Sequence, residues 1–272
     1  MTSPLGLHYL KTAHTLAHAA YAAYENDPAT YKGFADFGFD EIVVFKSDAA
    51  KNKEATRGYL AARDDAIVLT FRGTDDVEDW IINLNFMQVN DNGAMVHQGF
   101  ALALASIWNQ VDGPLRKMVE QKKRKIWIAG HSLGGALATL ATRRILAMKL
   151  GQLETYTFGQ PRVGDETLGR QITSPFYRFA YHSDPVPYAP FSVPAATKYQ
   201  HAGTLKQIDA TGKIHEDATN FLTHLTSAAQ SAKRIVGDLF GNDIKTFVKE
   251  RLKDHFMPNY VEKIEKAMKK TL

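Results

Sequence analysis

The stretch KIWIAGHSLGGA, Lys125 to Ala136, decides the fold. KIWIA reads as a buried strand, and an apolar pattern with helical period follows at once from Ser132 to Lys149. Between them lies G-x-S-x-G, with Gly130 two positions before Ser132 and Gly134 two after it. A serine on a strained strand-to-helix turn needs those glycines, because a Cβ at either place would collide with neighbouring backbone. Ala136 and Ala138 are small where such a helix meets its sheet. Ser132 is therefore the expected nucleophile. The Leu133 amide, at the helix N-terminus, is an expected oxyanion donor. His131 reads as a packing and hydrogen-bonding residue.

Working outward, strands are expected at Glu41 to Lys46, Arg57 to Ala62, Asp65 to Arg72, Thr155 to Phe158 and Phe176 to His182. Helical spacing runs from about Pro4 to Glu25 and from about Gln98 to Gln121, with a short helix between the last two strands. The alternation in the middle of the chain predicts an α/β fold, a mostly parallel sheet covered by helices on both faces. Three further helices are expected at Phe221 to Ile235, Ile244 to Leu252 and Val261 to Met268, the last two separated from their neighbours by Gly241 and Pro258. With no repeats or linkers, residues 1–272 read as a single domain.

Composition narrows the function. The 272 residues are 44% hydrophobic and 23% charged, which excludes a disordered or fibrous chain. The absence of cysteine removes disulfides, thiolate metal sites and a cysteine nucleophile together. A formal net charge of +4 is too small to argue for nucleic acid as a partner. Histidines and a lysine interrupt the N-terminal helix, so no signal peptide is read, and no transmembrane segment is expected. The cytoplasm is the default compartment, export by a non-classical route leaving no mark, and the chain is expected to be a monomer.

The acid partner of Ser132 should follow it in the chain, at the end of a later strand. Asp165 sits where it would cap the next helix. Asp184 stands in DPVP, where two prolines rigidify its loop, and is the expected acid. For the base, His215 lies in a polar turn and His224 on an amphipathic helix, both surface positions. His201 follows Tyr199 on a strand, whereas His255 lies in a loop between helices, free to reach a serine. Spacing leaves His255 and His201 open.

The strand ending at Phe71 leads into Arg72, Gly73 and Thr74, and Thr74 is placed where a second oxyanion donor belongs. Asp75 and Glu78 then fit a capping pair, and Val77, Trp80, Ile81 and Leu84 recur at helical spacing. Periodicity alone favours an ordinary packed helix over a lid.

FRGT at Phe71, GHSLGGA at Gly130, TFGQPRVGD at Thr157, DPVP at Asp184 and DH at Asp254, taken together and in this order, resemble the class 3, or fungal-type, lipase family of α/β-hydrolases. The resemblance implies Ser132, Asp184 and His255 as a triad, Thr74 and Leu133 as oxyanion donors, and a lid at about residues 75–86 whose Val77, Trp80, Ile81 and Leu84 face the substrate. Unlike secreted fungal members, the chain has no disulfide. Asp184 and His255 are 71 positions apart, and the region 216–240 is the expected helical insertion.

Ester hydrolysis through an acyl-enzyme is the expected activity, with no metal or organic cofactor needed. Acylglycerols at a lipid–water interface are the expected substrates. A carboxylesterase or feruloyl esterase on soluble esters and a phospholipase A1 are the alternatives, and a lipid-sensing interaction module is the non-enzymatic one.

Overall fold

The computed structural model describes residues 4–25, 27–47, 56–190, 198–215 and 244–271. In chain order the elements are α1 (Pro4–Ala22), α2 (Asp27–Ala35), β1 (Glu41–Lys46), β2 (Arg57–Ala62), β3 (Ala66–Phe71), α3 (Val77–Ile82), β4 (Gln88–Asp91), β5 (Ala94–His97) and α4 (Gln98–Gln121). There follow β6 (Lys125–His131), α5 (Leu133–Met148), β7 (Leu153–Phe158), α6 (Glu166–Gln171), β8 (Phe176–Tyr181), β9 (Thr204–Ile208) and β10 (Ile214–His215). Two helices, Ile244–Arg251 and Met257–Thr271, close the chain.

This is an α/β-hydrolase fold. The described sheet runs β1-β2-β3-β6-β7-β8-β9-β10. The segment β3-β6-β7-β8-β9 is parallel, while β1, β2 and β10 join antiparallel at the edges. Because both faces are covered, the central strands read as apolar runs: every side chain of AIVLTF in β3 is buried, as is each after Lys125 in β6. On one face α4 and α5 bury Phe100, Leu104, Ile107, Leu137 and Leu140 against the sheet. On the other, α1 and the helix Met257–Thr271 bury Leu16, Ala20, Tyr260 and Ile264 against Tyr59, Val68, Tyr156 and Phe179.

The C-terminal helix thus lays Ile264 on the protein rather than offering it to solvent. Pro258 lies inside the first turn of that helix instead of separating two helices, which suits a residue whose missing N–H is not needed there. The helix α2 and the β4–β5 hairpin, by contrast, were not anticipated, being short and weakly periodic. Nor is Tyr199 on a strand: it precedes a single bridge between Gln200 and Gly164, and the strand begins at Thr204. His215 lies on β10, where its Nε2 meets Asp209 at 2.9 Å, rather than in a turn. The expected Phe221 to Ile235 helix, His224 and the rest of the 216–240 insertion lie outside the described residues.

Candidate active site

Ser132 sits between β6 and α5 with φ +57° and ψ −128°, a backbone conformation that L-residues rarely adopt. The turn is fixed by bonds on both sides. The Ser132 N–H donates to the Phe158 carbonyl at 3.0 Å, and the Ser132 carbonyl accepts from Gly135 at 2.9 Å. A Cβ on Gly130 would stand 2.1 Å from the Gly134 carbonyl oxygen, and one on Gly134 would stand 2.2 Å from that of Phe71. The close approach of α5 to β3 and β6 therefore depends on both glycines.

Asp184 follows β8 and is buried. Both its oxygens are occupied: His255 Nδ1 approaches them at 2.9 and 3.0 Å, Tyr260 Oη donates to Oδ2 at 2.5 Å, and the Val186 N–H donates to Oδ1 at 2.9 Å. Tyr260 in turn accepts from the Tyr181 N–H at 3.0 Å. Burial and the adjacent Asp184 hold the Tyr260 phenol protonated far above its usual range. It is thus a fixed donor.

His255 is 0% exposed and lies in a single helical turn, Leu252–His255, rather than a loop. Its backbone carbonyl accepts from His131 Nε2 at 2.7 Å, and His131 Nδ1 accepts from Tyr24 Oη at 2.7 Å. A carbonyl can only accept, so His131 carries its proton on Nε2. Burial, reinforced by the neighbouring His255, pushes the His131 pKa well below the ordinary imidazole value. Gly159, at φ +54°, follows the Phe158 carbonyl that holds Ser132. A Cβ there would come within 2.9 Å of both His255 and Asp184 Oδ2. Serine turn, acid and imidazole are therefore one packed unit.

Ser132 Oγ and His255 Nε2 are both buried, and neither has a hydrogen-bond partner. No hydrogen bond joins them in this state. Such bonds are commonly long before substrate is bound.

Thr74 is buried just beyond β3, and Leu133 starts α5. Thr74, Val77, His131, His255 and Phe256, with Tyr21 of α1 and Tyr24 in the turn after it, line a cavity of about 210 Å³. The apolar side of α3 faces inward: Val77 and Ile81 are buried with Val186, Ala189 and Val248, and partly buried Trp80 and Leu84 pack on the same cluster. Trp80 also stacks on Phe100, with ring centroids 6.1 Å apart. The cap of α3 is not the Asp75–Glu78 pair. Asp76 accepts from the Asp79 N–H at 3.2 Å, while Asp75 pairs with Arg72.

Asp165 caps α6 by accepting from the Leu168 N–H at 3.1 Å, apart from Ser132. His201 Nε2 donates to the Pro187 carbonyl at 2.8 Å and does not bond Asp184. Tyr24 and Tyr260 escaped the sequence reading. Each lies on or beside a helix whose stripe reads as core, and only the fold brings them to the site.

The family model described as Lipase (class 3) matches residues 68–193. The lipase of Rhizomucor miehei is 34% identical over 158 residues, covering 53% of this chain and 43% of that protein. The secreted mono- and diacylglycerol lipase A of Penicillium cyclopium is 32% identical over 143 residues, covering 50% and 47%. The chain spans about half the length of the curated relatives it matches. Among solved structures, lipase II from Rhizopus niveus superimposes with a TM-score of 0.65 at 26% identity, covering 74% of this chain and 81% of that one. A structure described by the words "a serine protease triad forms the catalytic centre of a triacylglycerol lipase" gives 0.65 at 26%, covering 76% and 82%.

Proposed function

We propose that the chain, whose residues 68–193 match the class 3 lipase family model, is a member of that family and a serine hydrolase cleaving carboxylic esters of acylglycerols. The observation that carries this reading is His255. Its Nδ1 is held by both oxygens of Asp184, its Nε2 is buried without a partner, and it packs against the turn that strains Ser132.

In this reading Ser132 Oγ attacks the ester carbonyl while His255 Nε2 takes its proton. Asp184 fixes the tautomer and stabilises the imidazolium that forms. The amides of Thr74 and Leu133 receive the oxyanion, the second aided by the N-terminus of α5. Collapse of the tetrahedral intermediate expels the alcohol, which takes the proton from His255, and leaves an acyl-Ser132. Water, activated by the same imidazole, then releases the acid. Residues 1–272 act as one domain in this scheme.

The α3 segment is the proposed lid. Phe86, Met87 and Phe256 are exposed, the last at 51%, and Phe256 borders the cavity beside His255. Exposed apolar side chains at the rim of a buried site suit a lipid–water interface, where α3 would swing aside.

Initial rates on emulsified tributyrin and longer triglycerides, taken across the solubility limit alongside p-nitrophenyl butyrate, test the proposal. Ser132→Ala should lower turnover by about 10⁴-fold or more, and the wild-type rate should jump as the interface forms. Turnover confined to the soluble ester would move the protein to the esterases. Failure of a fluorophosphonate to label Ser132 in folded protein would remove the catalytic reading altogether.

A further inference from the structure

A second cavity of about 140 Å³ is bordered by Asp184 but by neither Ser132 nor His255, and the ester chemistry does not use it. Its floor is one face of the sheet. Arg178 and Ala180 on β8 lie opposite Leu205 and Gln207 on β9, and all four line it. Tyr177 and Phe179, alternate residues of β8, turn to the apolar core, while Tyr181 and His182, at and just beyond the end of the strand, border the cavity as well. Arg162, Asp184, Pro187, Tyr188 and His201 line the rest.

Arg178 is 8% exposed, forms no ion pair or hydrogen bond among the described residues, and keeps its Nε buried without an acceptor. A buried guanidinium without an anion is costly, and such groups are ordinarily paired. The carboxylate in the lining, Asp184, is not bonded to it and accepts instead from His255, Tyr260 and Val186. Burial and the second cation, Arg162, lower the Arg178 pKa to about 10, which still leaves it charged at neutral pH. Two cations therefore face a small polar enclosure, and one of them is hydrogen-bonded to no acceptor among the described residues.

His201 adds a chemical constraint. Its Nε2 gives its proton to the Pro187 carbonyl, and its Nδ1 is buried without a partner. Burial, with Arg178 nearby, keeps this imidazole neutral. Nδ1 is then a lone pair awaiting a donor, beside a guanidinium awaiting an acceptor. A hydrogen phosphate, or the monoanion of a phosphomonoester, offers both, through its ionised oxygens and its P–O–H. Sulfate at neutral pH offers only acceptors. The enclosure is also well below the size of a drug-sized ligand site, which excludes a nucleotide.

We propose that the cavity between β8, β9 and the Asp184 loop binds a phosphate group, with Arg178 as its principal charge partner and His201 Nδ1 accepting its hydroxyl. This site is independent of the ester-hydrolase reading.

Titration calorimetry and thermal unfolding with inorganic phosphate, at matched ionic strength against sulfate and chloride, test it. Because phosphate and sulfate stabilise many proteins by exclusion from their surfaces, the comparison with Arg178→Met decides. The wild type should bind phosphate saturably, with Kd in about the millimolar range or tighter. Its melting temperature should rise accordingly. Arg178→Met should melt no lower than the wild type without phosphate, since it removes an unpaired buried charge, and should lose the binding. If that variant does not fold, Arg178→Lys keeps the charge without the fork and should bind about tenfold more weakly. His201→Phe should erase the preference for phosphate over sulfate. Glycerol 3-phosphate and phosphatidylcholine vesicles carrying phosphatidic acid separate the sources: binding to the soluble ester assigns a free phosphate, binding to the vesicles alone a lipid headgroup, and either supports the site. No binding in any arm, equal affinity for sulfate, or an unchanged phosphate response in Arg178→Met would overturn it.

Discussion

Ser132 and His255 meet at one site, and both are fully buried, yet two different kinds of structure hold them. The serine is placed by its own neighbourhood: one strand, two glycines and the first turn of α5 fix it, with the Phe158 carbonyl as its distant anchor. The imidazole is placed almost wholly from afar. Its ring is held by Asp184, 71 residues away, and its backbone by His131, 124 residues away, which leans in turn on Tyr24, just beyond α1. A side chain fixed locally tolerates no change in its turn. One fixed by a chain of hydrogen bonds loses its position in steps, as each bond is removed.

The local end should therefore fail all at once. In Gly134→Ala the new Cβ would stand 2.2 Å from the Phe71 carbonyl oxygen, a backbone atom that cannot swing away, so β3 and α5 must separate. We expect a loss of more than about 3 kcal/mol in stability, read by denaturant unfolding, and no ester turnover. An active protein with wild-type stability would mean that the contact of α5 with β3 does not position Ser132.

The same contrast explains what could be read in advance. The elbow was legible because every requirement is written within Lys125 to Ala138: an apolar strand, the spaced glycines and small residues on the following helix. The sheet was legible too, since β1, β3 and β6 to β8 are rich in β-branched and aromatic residues and β2 alternates. Asp184 could be preferred over Asp165 because its prolines mark a rigid loop. His255 could not be separated from His201 by spacing, because what distinguishes them is a contact across the fold. Only the family resemblance favoured one. Tyr260 was hidden for the same reason: on a helix with Ile264 at i+4 it looks like core, and it is core except for its hydroxyl. Asp75 was misread as a cap because sequence cannot show that Arg72 claims it and leaves Asp76 to the helix.

A graded failure is expected at the distant end. Tyr260→Phe removes the donor to Asp184 Oδ2 and leaves the Tyr181 N–H buried without an acceptor. The cost should be about 1–3 kcal/mol in stability. The effect on turnover should be much smaller than that of Ser132→Ala, since His255 Nδ1 and Val186 still hold the carboxylate. A full loss of turnover with the fold intact would show that the acid depends on Tyr260 alone, and the stepwise picture would fail.

The smallest effect, and the finest probe of the distant end, is pH. His131 is buried neutral between the Tyr24 hydroxyl and the His255 carbonyl, with His255 itself packed on it at a ring separation of 4.4 Å. Its folded pKa lies well below the unfolded value of about 6.5. As pH falls through that value the unfolded chain takes up a proton that the native chain refuses, so the difference in bound protons favours unfolding. Stability is therefore complete above about pH 6.5 and declines below it, by up to about 1.4 kcal/mol per pH unit for this residue. His201, buried beside Arg178, contributes in the same direction. Denaturant unfolding of the wild type and His131→Gln between pH 7 and 4.5 isolates the first contribution. The variant should be less stable at pH 7, because its amide meets Tyr24 and the His255 carbonyl less well, but its decline with acid should be shallower by one histidine. Parallel declines would mean that His131 takes up its proton without unfolding, and that the backbone of His255 is then held by something other than a neutral imidazole.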